Sequence, residues 1–359
     1  MQLNYSEIIV ILTQAMSIAM NKDSSHTEER MMLRAIENAE KARPSCMPNP
    51  WVGAVLVTPD EAIFDGHTQS FGQSHAEIVC LNSAGTQARG ATLYVTLEPC
   101  SHIGKTGPCV QRIIESGIKR IVVGTKDPDA HVDGEGIRKL QKAGLEVEVG
   151  LLEDLILSQL APYIHQRKTG KPYVVMKIAT TVDGKVAASD GSSQWITGPE
   201  ARIDGHKLRA YSDAICVGKG TVLSDNPRLT VRDWRPDDGV AEGLDPKRIV
   251  LGEVPKESAV RPCYEFTGNV LDLLEELGRE GVLQLLVEGG ASTYKAFHDA
   301  GVVNEYQFFL APAIMAGSDG LNIFTGEGAE TISDLWRGKI QEVCRLGEDI
   351  KIIVIPEAK

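Results

Sequence analysis

Four side chains in the first third of the sequence have the types and spacing for hydrolysis at a metal: His75, Glu77, Cys100 and Cys109. Catalytic zinc takes three protein ligands and keeps a fourth position open, and one imidazole with two thiolates fills that count. His75 and Cys109 fall at predicted helix starts, where the positive end of the helix dipole favours a thiolate and aims ligands at a common point. Zinc held this way activates water for attack on the amidine carbon of an aminopyrimidine ring. Glu77 is surplus to the ligand count. Two residues beyond His75, it is placed to carry a proton from water to a ring nitrogen and then to departing ammonia.

The elements that must position these groups follow from hydrophobic period. Apolar residues recur at helical spacing from Glu28 to Ala42, and Pro44 stops the pattern. Strand Val52–Val57 precedes His75 at the head of helix Ile78–Leu81. The alternation continues with strand Ala91–Thr96, helix Cys109–Glu115, strand Arg120–Gly124, helix Gly136–Ala143 and strand Glu146–Val149. This order predicts an α/β/α sandwich with much parallel pairing, in which two adjacent strand-to-helix crossovers share one metal. The polar run Gln166–Lys171 marks a linker over 159–171. A second α/β unit over 172–359 has strands expected at Tyr173–Ile178, Ala214–Val217, Arg248–Leu251, Leu283–Val287 and Tyr306–Leu310. The first unit is placed at 28–158, behind a helical extension at 1–27.

Composition narrows the function. A chain of 359 residues exceeds one ordinary core. Its net charge of -12 opposes binding to phosphate backbones, so nucleic acid is not an expected partner. Seven scattered cysteines fit a reducing cytoplasm better than a disulfide framework. The apolar run Ile8–Met20 is too short to span a bilayer and lacks a basic flank, so no membrane role is expected.

His-x-Glu followed by Pro-Cys is the signature of zinc nucleoside and nucleobase deaminases, although their second cysteine follows after two residues and here it follows after eight. The longer form, HAE followed by TLEPCSHIGKTGPC, resembles the deaminase domain of the bifunctional riboflavin-biosynthesis deaminase-reductases. PNPWVGAVLV, GATLYVTLEPC and DPDAHVDGEG are similar to that family too. The resemblance implies a cytidine-deaminase-like fold, zinc on His75, Cys100 and Cys109, and Glu77 as the proton carrier. Asn49, between two prolines, presents its amide to the substrate ring or sugar in this reading. His67, His102 and His131 are weaker candidates for substrate contact. The other cysteines, Cys46, Cys80, Cys216, Cys263 and Cys344, are expected to serve packing.

In the second half no G-x-G-x-x-G follows the first strand, which argues against a Rossmann site. Gly289-Gly290 after a strand is a weak sign of a pyrophosphate seat at a helix N-terminus. The words KIATTVDGK, SSQWIT, ARIDGHKLRA, DAICVGKGTVLSDNPRLTVR, LLVEGG and LAPAIMAG occur in the order of the family's reductase domain, whose fold is like dihydrofolate reductase. Carried across by position, NADPH contacts fall on Ala179, Trp195, Thr221, Asp225, Gly290, Ala291 and Ser292. Substrate contacts fall on Lys177, Ser193, Arg209, Leu229, Arg232 and Glu288. Arg209 and Arg232 then hold a ribosyl 5′-phosphate, and Glu288 accepts from ring or amine hydrogens.

The implied activity is hydrolysis of the 2-amino group of 2,5-diamino-6-(5-phosphoribosylamino)pyrimidin-4(3H)-one, then NADPH-dependent reduction of the ribosyl group to ribityl. A homodimer or larger homo-oligomer is expected. The segment between Leu251 and Arg279 is shorter than in many family members, which leaves a live deaminase with a degenerate reductase as the alternative. A nucleic-acid deaminase or a purely structural metal would need features this acidic chain does not show.

Overall fold

The computed structural model describes residues 24–101, 107–129, 134–236 and 243–357. Most of the expected 1–27 extension lies outside the described residues, as do His102 and His131. The described residues fall into two compact units, and the chain passes from one to the other between Thr169 and Gly170.

In the first unit, helix α1 (Ser24–Ala42) buries Met32, Ile36 and Ala39, the stripe its period predicts. It packs on a five-stranded sheet built from β1 (Gly53–Val57), β2 (Ile63–His67), β3 (Thr92–Leu97), β4 (Arg120–Thr125) and β5 (Glu146–Val149), in the order β2-β1-β3-β4-β5. β2, β1 and β3 pair antiparallel, while β3, β4 and β5 pair parallel. Parallel neighbours need crossovers, and helices α3 (Cys109–Ser116) and α4 (Glu135–Lys142) supply them. Helix α2 (Ala76–Ala84) lies on β1 and β2. Its approach requires glycine at 66: a Cβ there would stand 2.3 Å from the Ala76 carbonyl and 2.7 Å from Cys80 Sγ.

The expected linker at 159–171 is mostly helix. Helix α5 (Glu153–Gln159) is followed at once by α6 (Ala161–Thr169), which buries Pro162, Tyr163 and Gln166. The charged run that reads as linker is the last turn of α6, where Arg167 and Lys168 meet the negative end of the helix dipole. Gly170, at φ 71, ends it.

The second unit is an eight-stranded sheet ordered β10-β9-β8-β11-β6-β12-β15-β14. It comprises β6 (Tyr173–Thr181), β8 (Ala214–Gly218), β9 (Lys247–Leu251), β10 (Tyr264–Phe266), β11 (Gln284–Val287), β12 (Glu305–Ala311), β14 (Gly338–Leu346) and β15 (Asp349–Pro356). All pairs from β10 to β12 are parallel, and the last two strands join antiparallel. A small pair, β7 (Lys185–Ala187) with β13 (Leu321–Asn322), stands apart. Helices α7 (Pro199–Ala210), α8 (Lys219–Asp225), α9 (Val270–Arg279) and α10 (Ala291–Asp299) make the crossovers. Alternate residues of the central strands feed two separate cores: Met176, Cys216 and Leu285 join one, and Val175, Ile215 and Leu286 the other. Strands buried on both faces read as continuous apolar runs, which is why the sequence locates them.

Candidate active sites

The first site gathers at the ends of two crossovers. His75 is the N-cap of α2, Cys109 opens α3, and Cys100 follows β3. His75 Nδ1 lies 3.3 Å from Cys109 Sγ and 3.6 Å from Cys100 Sγ. Tetrahedral zinc with ordinary Zn–N and Zn–S lengths sets its nitrogen and sulfur ligands about 3.6 Å apart, so these donors fit that metal. The Cys109 amide also donates to Cys100 Sγ at 3.4 Å, using a helix N-terminus to steady a thiolate. A hydrogen bond from the Cys109 thiol, then one with His75, holds Cys100 down to about 4. The same shared proton, and burial, push Cys109 up. One imidazole nitrogen and two sulfurs are thus gathered within 4.8 Å of one another, a donor set for a divalent cation.

Glu77, one residue into α2, is buried, and that burial raises its carboxyl above the usual range while His75 opposes the shift. Glu98 is a residue that sequence reasoning passed over. Buried at 4% exposure, it accepts from the amides of Asp127, Gly134 and Ile137 at 3.3, 3.1 and 3.2 Å. It therefore ties both ends of the DPDAHVDGEG segment, and the start of α4, to the strand end that carries Cys100. Asn49 donates its backbone amide to Cys46 and is half-buried. His67 ends β2. Cys46, Cys80 and Cys216 are buried, and Cys263 and Cys344 partly so.

The second unit holds a cavity of about 1050 Å³. All the reductase positions named from the sequence line it. Lys177 and Ala179 come from β6, Ser193 and Trp195 from the loop after β7, and Arg209 from α7. Thr221 and Asp225 come from α8, and Leu229 and Arg232 from the loop beyond it. Gly290 caps α10, which brings Ala291 and Ser292. A Cβ at Gly289 would stand 2.5 Å from that of Thr293, so glycine lets strand β11 turn into α10 at this wall.

Arg209 and Glu288 are not independent contacts. The guanidinium donates to both carboxylate oxygens, Nε to Oε1 at 2.8 Å and Nη2 to Oε2 at 2.7 Å, and Nη1 donates to the Thr230 carbonyl at 3.2 Å. Burial alone would raise Glu288, but Arg209, with help from Lys177, brings it down to about 2. Lys177 is pulled the other way: burial lowers it, with Glu288 opposing. Its ammonium sits 5.2 Å above the Phe309 ring. Ser193 donates to Asp225 at 3.3 Å, and Arg202 stacks 4.9 Å from the Trp195 ring, which is 67% exposed. Of the 251–279 segment, Leu251 lines the cavity. Sequence reasoning left Arg202 and His206 without a role. The signal was present, since His206 and Arg209 are three apart on one helix and share a face.

Two family models match. One, the cytidine and deoxycytidylate deaminase zinc-binding region, covers residues 25–125, and the other, the RibD C-terminal domain, covers residues 172–352. The riboflavin biosynthesis protein RibD of Bacillus amyloliquefaciens is 36% identical over 92% of this chain and 96% of its own length. The chain belongs to the RibD family. The RibD of Escherichia coli strain K12 is 34% identical over 90% of this chain and 98% of that protein. Among solved structures, RibD of Acinetobacter baumannii superposes with a TM-score of 0.85 at 34% identity, covering 93% of this chain and 100% of that one. The deaminase/reductase of Thermotoga maritima gives 0.82 at 34%, with the same coverage. As a RibD, this is a bifunctional enzyme of riboflavin biosynthesis, a zinc-dependent deaminase joined to an NADPH-dependent reductase. Its substrates are small phosphorylated pyrimidines. Among the described residues no helix is long and apolar enough to cross a membrane.

Proposed function

We propose that the first site removes the 2-amino group of 2,5-diamino-6-(5-phosphoribosylamino)pyrimidin-4(3H)-one, and that the second reduces the ribosyl group of the resulting aminouracil to ribityl. The observation that carries this is a three-donor metal set beside a buried carboxyl in one unit, with a separate cavity holding a buried Arg–Glu pair in the other. The Thermotoga maritima relative is named for both activities.

His75, Cys100 and Cys109 hold zinc, which supplies Lewis acidity that activates water at neutral pH. Glu77 would pass one proton from water to the ring nitrogen as the water oxygen bonds to C2, then move the second from the resulting hydroxyl to the amine as the C2–N bond breaks and ammonia leaves. Asn49 orients the ring or sugar.

In the cavity, Ala179, Trp195, Thr221, Asp225 and the turn Gly290–Ser292 seat NADPH, which supplies the hydride. The first turn of α10, capped by Gly290, offers its backbone amides to the cofactor's phosphates. Ser193, Leu229, Arg232 and the Arg209–Glu288 pair hold the substrate, with Lys177 beside the sugar being reduced. Because Glu288 orients Arg209 from the side, Arg209 meets an anion with a fixed guanidinium plane. The deaminase occupies 28–158, α6 fills most of the connection over 159–171, and the reductase occupies 172–359.

The enzyme works as a homodimer or larger homo-oligomer. Edge strand β14 and its neighbour β15 leave Ile340, Val343 and Ile350 exposed at 54%, 44% and 41%, an apolar sheet edge that a second copy covers. Sedimentation of the purified protein tests this, and a monomer at micromolar concentration contradicts it. The reaction is tested by mass spectrometry of the products from the diaminopyrimidine phosphate. The aminouracil is expected without NADPH and the ribityl product with it. Failure to form the aminouracil overturns the first assignment, and aminouracil that persists with NADPH overturns the second.

A further inference from the structure

His206 lies one helical turn before Arg209 on α7 and lines the same cavity at 6% exposure. Its Nδ1 accepts from the backbone amide of Arg232 at 3.3 Å, and its Nε2 stands 3.2 Å from Asp233 Oδ2. Because Nδ1 accepts, Nε2 carries the proton and donates it to Asp233. The ring thereby binds two consecutive residues of one loop. The two residues before them are held by other groups: Arg209 donates to the Thr230 carbonyl at 3.2 Å, and Asp245 accepts from the Val231 amide at 2.8 Å.

The path of the loop up to 231 therefore does not depend on His206, whereas the direction in which residue 232 leaves the backbone does. Arginine has a long side chain whose ordering costs up to about 2 kcal/mol, and a fixed starting point removes part of that cost before any ligand arrives. The Arg232 guanidinium lies at the cavity wall, within 3.3 Å of Thr230 Oγ1.

We infer that His206 is the positioning residue that aims Arg232 at the substrate's 5′-phosphate, and so sets the preference for phosphorylated over unphosphorylated substrate. This rests on the reading of Arg232 as a phosphate contact. The charged groups around the ring keep it a neutral acceptor: burial first, then Arg209, lower its affinity for a second proton, Arg232 adds to this, and Asp233 and Glu288 oppose it.

The test follows NADPH oxidation by full-length protein with two substrates, the aminouracil ribosyl phosphate and the same compound without its phosphate. Losing one part-buried neutral hydrogen bond weakens the interaction it supports by up to about tenfold. In His206→Ala, KM for the phosphorylated substrate is expected to rise about tenfold with kcat within about twofold. kcat/KM for the dephosphorylated compound is expected to stay unchanged. His206→Asn, whose Oδ1 stands where Nδ1 stood, restores KM, whereas His206→Gln, which mimics Nε2, does not. An unchanged KM in His206→Ala, or an equal loss on both substrates, overturns the inference while leaving the cavity's assignment intact. Should the alanine variant not fold, the other two decide: equal KM values in Asn and Gln overturn it. A wild-type enzyme inert toward the phosphorylated compound overturns the reading of the cavity itself and the inference with it.

Discussion

The Arg209–Glu288 pair separates what is kept for function from what is kept for stability. Its side chains are 16% and 11% exposed, and two short hydrogen bonds join them. At an effective dielectric near 20, unit charges about 4 Å apart attract by about 4 kcal/mol. Removing one partner strands the other charge, at a cost of about 3–5 kcal/mol. Glu288→Gln retains one acceptor for the guanidinium, so about 3 kcal/mol is expected. Linkage supports that size. Glu288 is brought from 4.5 to about 2 in the fold, a difference worth about 3 kcal/mol. The sign follows from the depressed value: this stability is complete above pH 4.5 and disappears as pH falls toward 2.

Urea unfolding of the reductase unit reads the effect. With a slope near 3 kcal/mol/M, Glu288→Gln lowers the midpoint by about 1 M and flattens the acid limb of the pH profile. Replacing both partners, Arg209→Met with Glu288→Leu, leaves neither member of the pair stranded, and Lys177 loses the attraction of Glu288 together with the repulsion of Arg209, so stability returns to within about 1 kcal/mol of the parent. NADPH oxidation is expected to be lost in the double variant, since both side chains line the cavity. A double variant as unstable as the single one, or a wild-type midpoint in Glu288→Gln, refutes the reasoning.

Purified protein is expected to carry one zinc per chain, and Cys109→Ser to lose it, as metal analysis reads directly; full occupancy in that variant removes Cys109 from the ligand set. Glu77→Gln keeps its zinc while deaminase turnover falls by about two to four powers of ten, and near-normal turnover there contradicts the proton-carrying role. A fragment from Gly170 to Lys359, the second compact unit, is expected to fold alone and to oxidise NADPH with the aminouracil phosphate but not with the diaminopyrimidine. The discrimination arises because a pocket built for a ring carbonyl leaves polar groups unpaired when it meets an amino group. Consumption of NADPH with the diaminopyrimidine reverses the proposed order of the two reactions.

The zinc donors are legible in the sequence because metal ligation constrains residue type and spacing together, and a thiolate at a helix start is a local arrangement. The parallel strands are legible for a related reason: β8 is buried on both faces and reads as an unbroken apolar run. Strand β14 is less legible, because it mixes Lys339, Glu342 and Arg345 with apolar residues and much of it is exposed at a sheet edge. So is α6, whose last turn has the composition of a linker and is helical because Tyr163 and Gln166 are buried.

Sequence alone specifies two α/β units, the donor set His75, Cys100 and Cys109, and the motifs that resemble a deaminase followed by a reductase. The pairings belong to the tertiary structure. Arg209 and Glu288 are 79 residues apart and read as separate contacts along the chain, yet they bond to each other because α7 and the end of β11 face one cavity. Glu98 reaches three amides up to 39 residues away only because β3 and β4 lie parallel, which sets the end of one strand beside the loop leaving the next. Spacing along a chain reports groups that share a helix or a turn. Groups brought together across a sheet leave no such period, and their partners become known only when the strands are ordered.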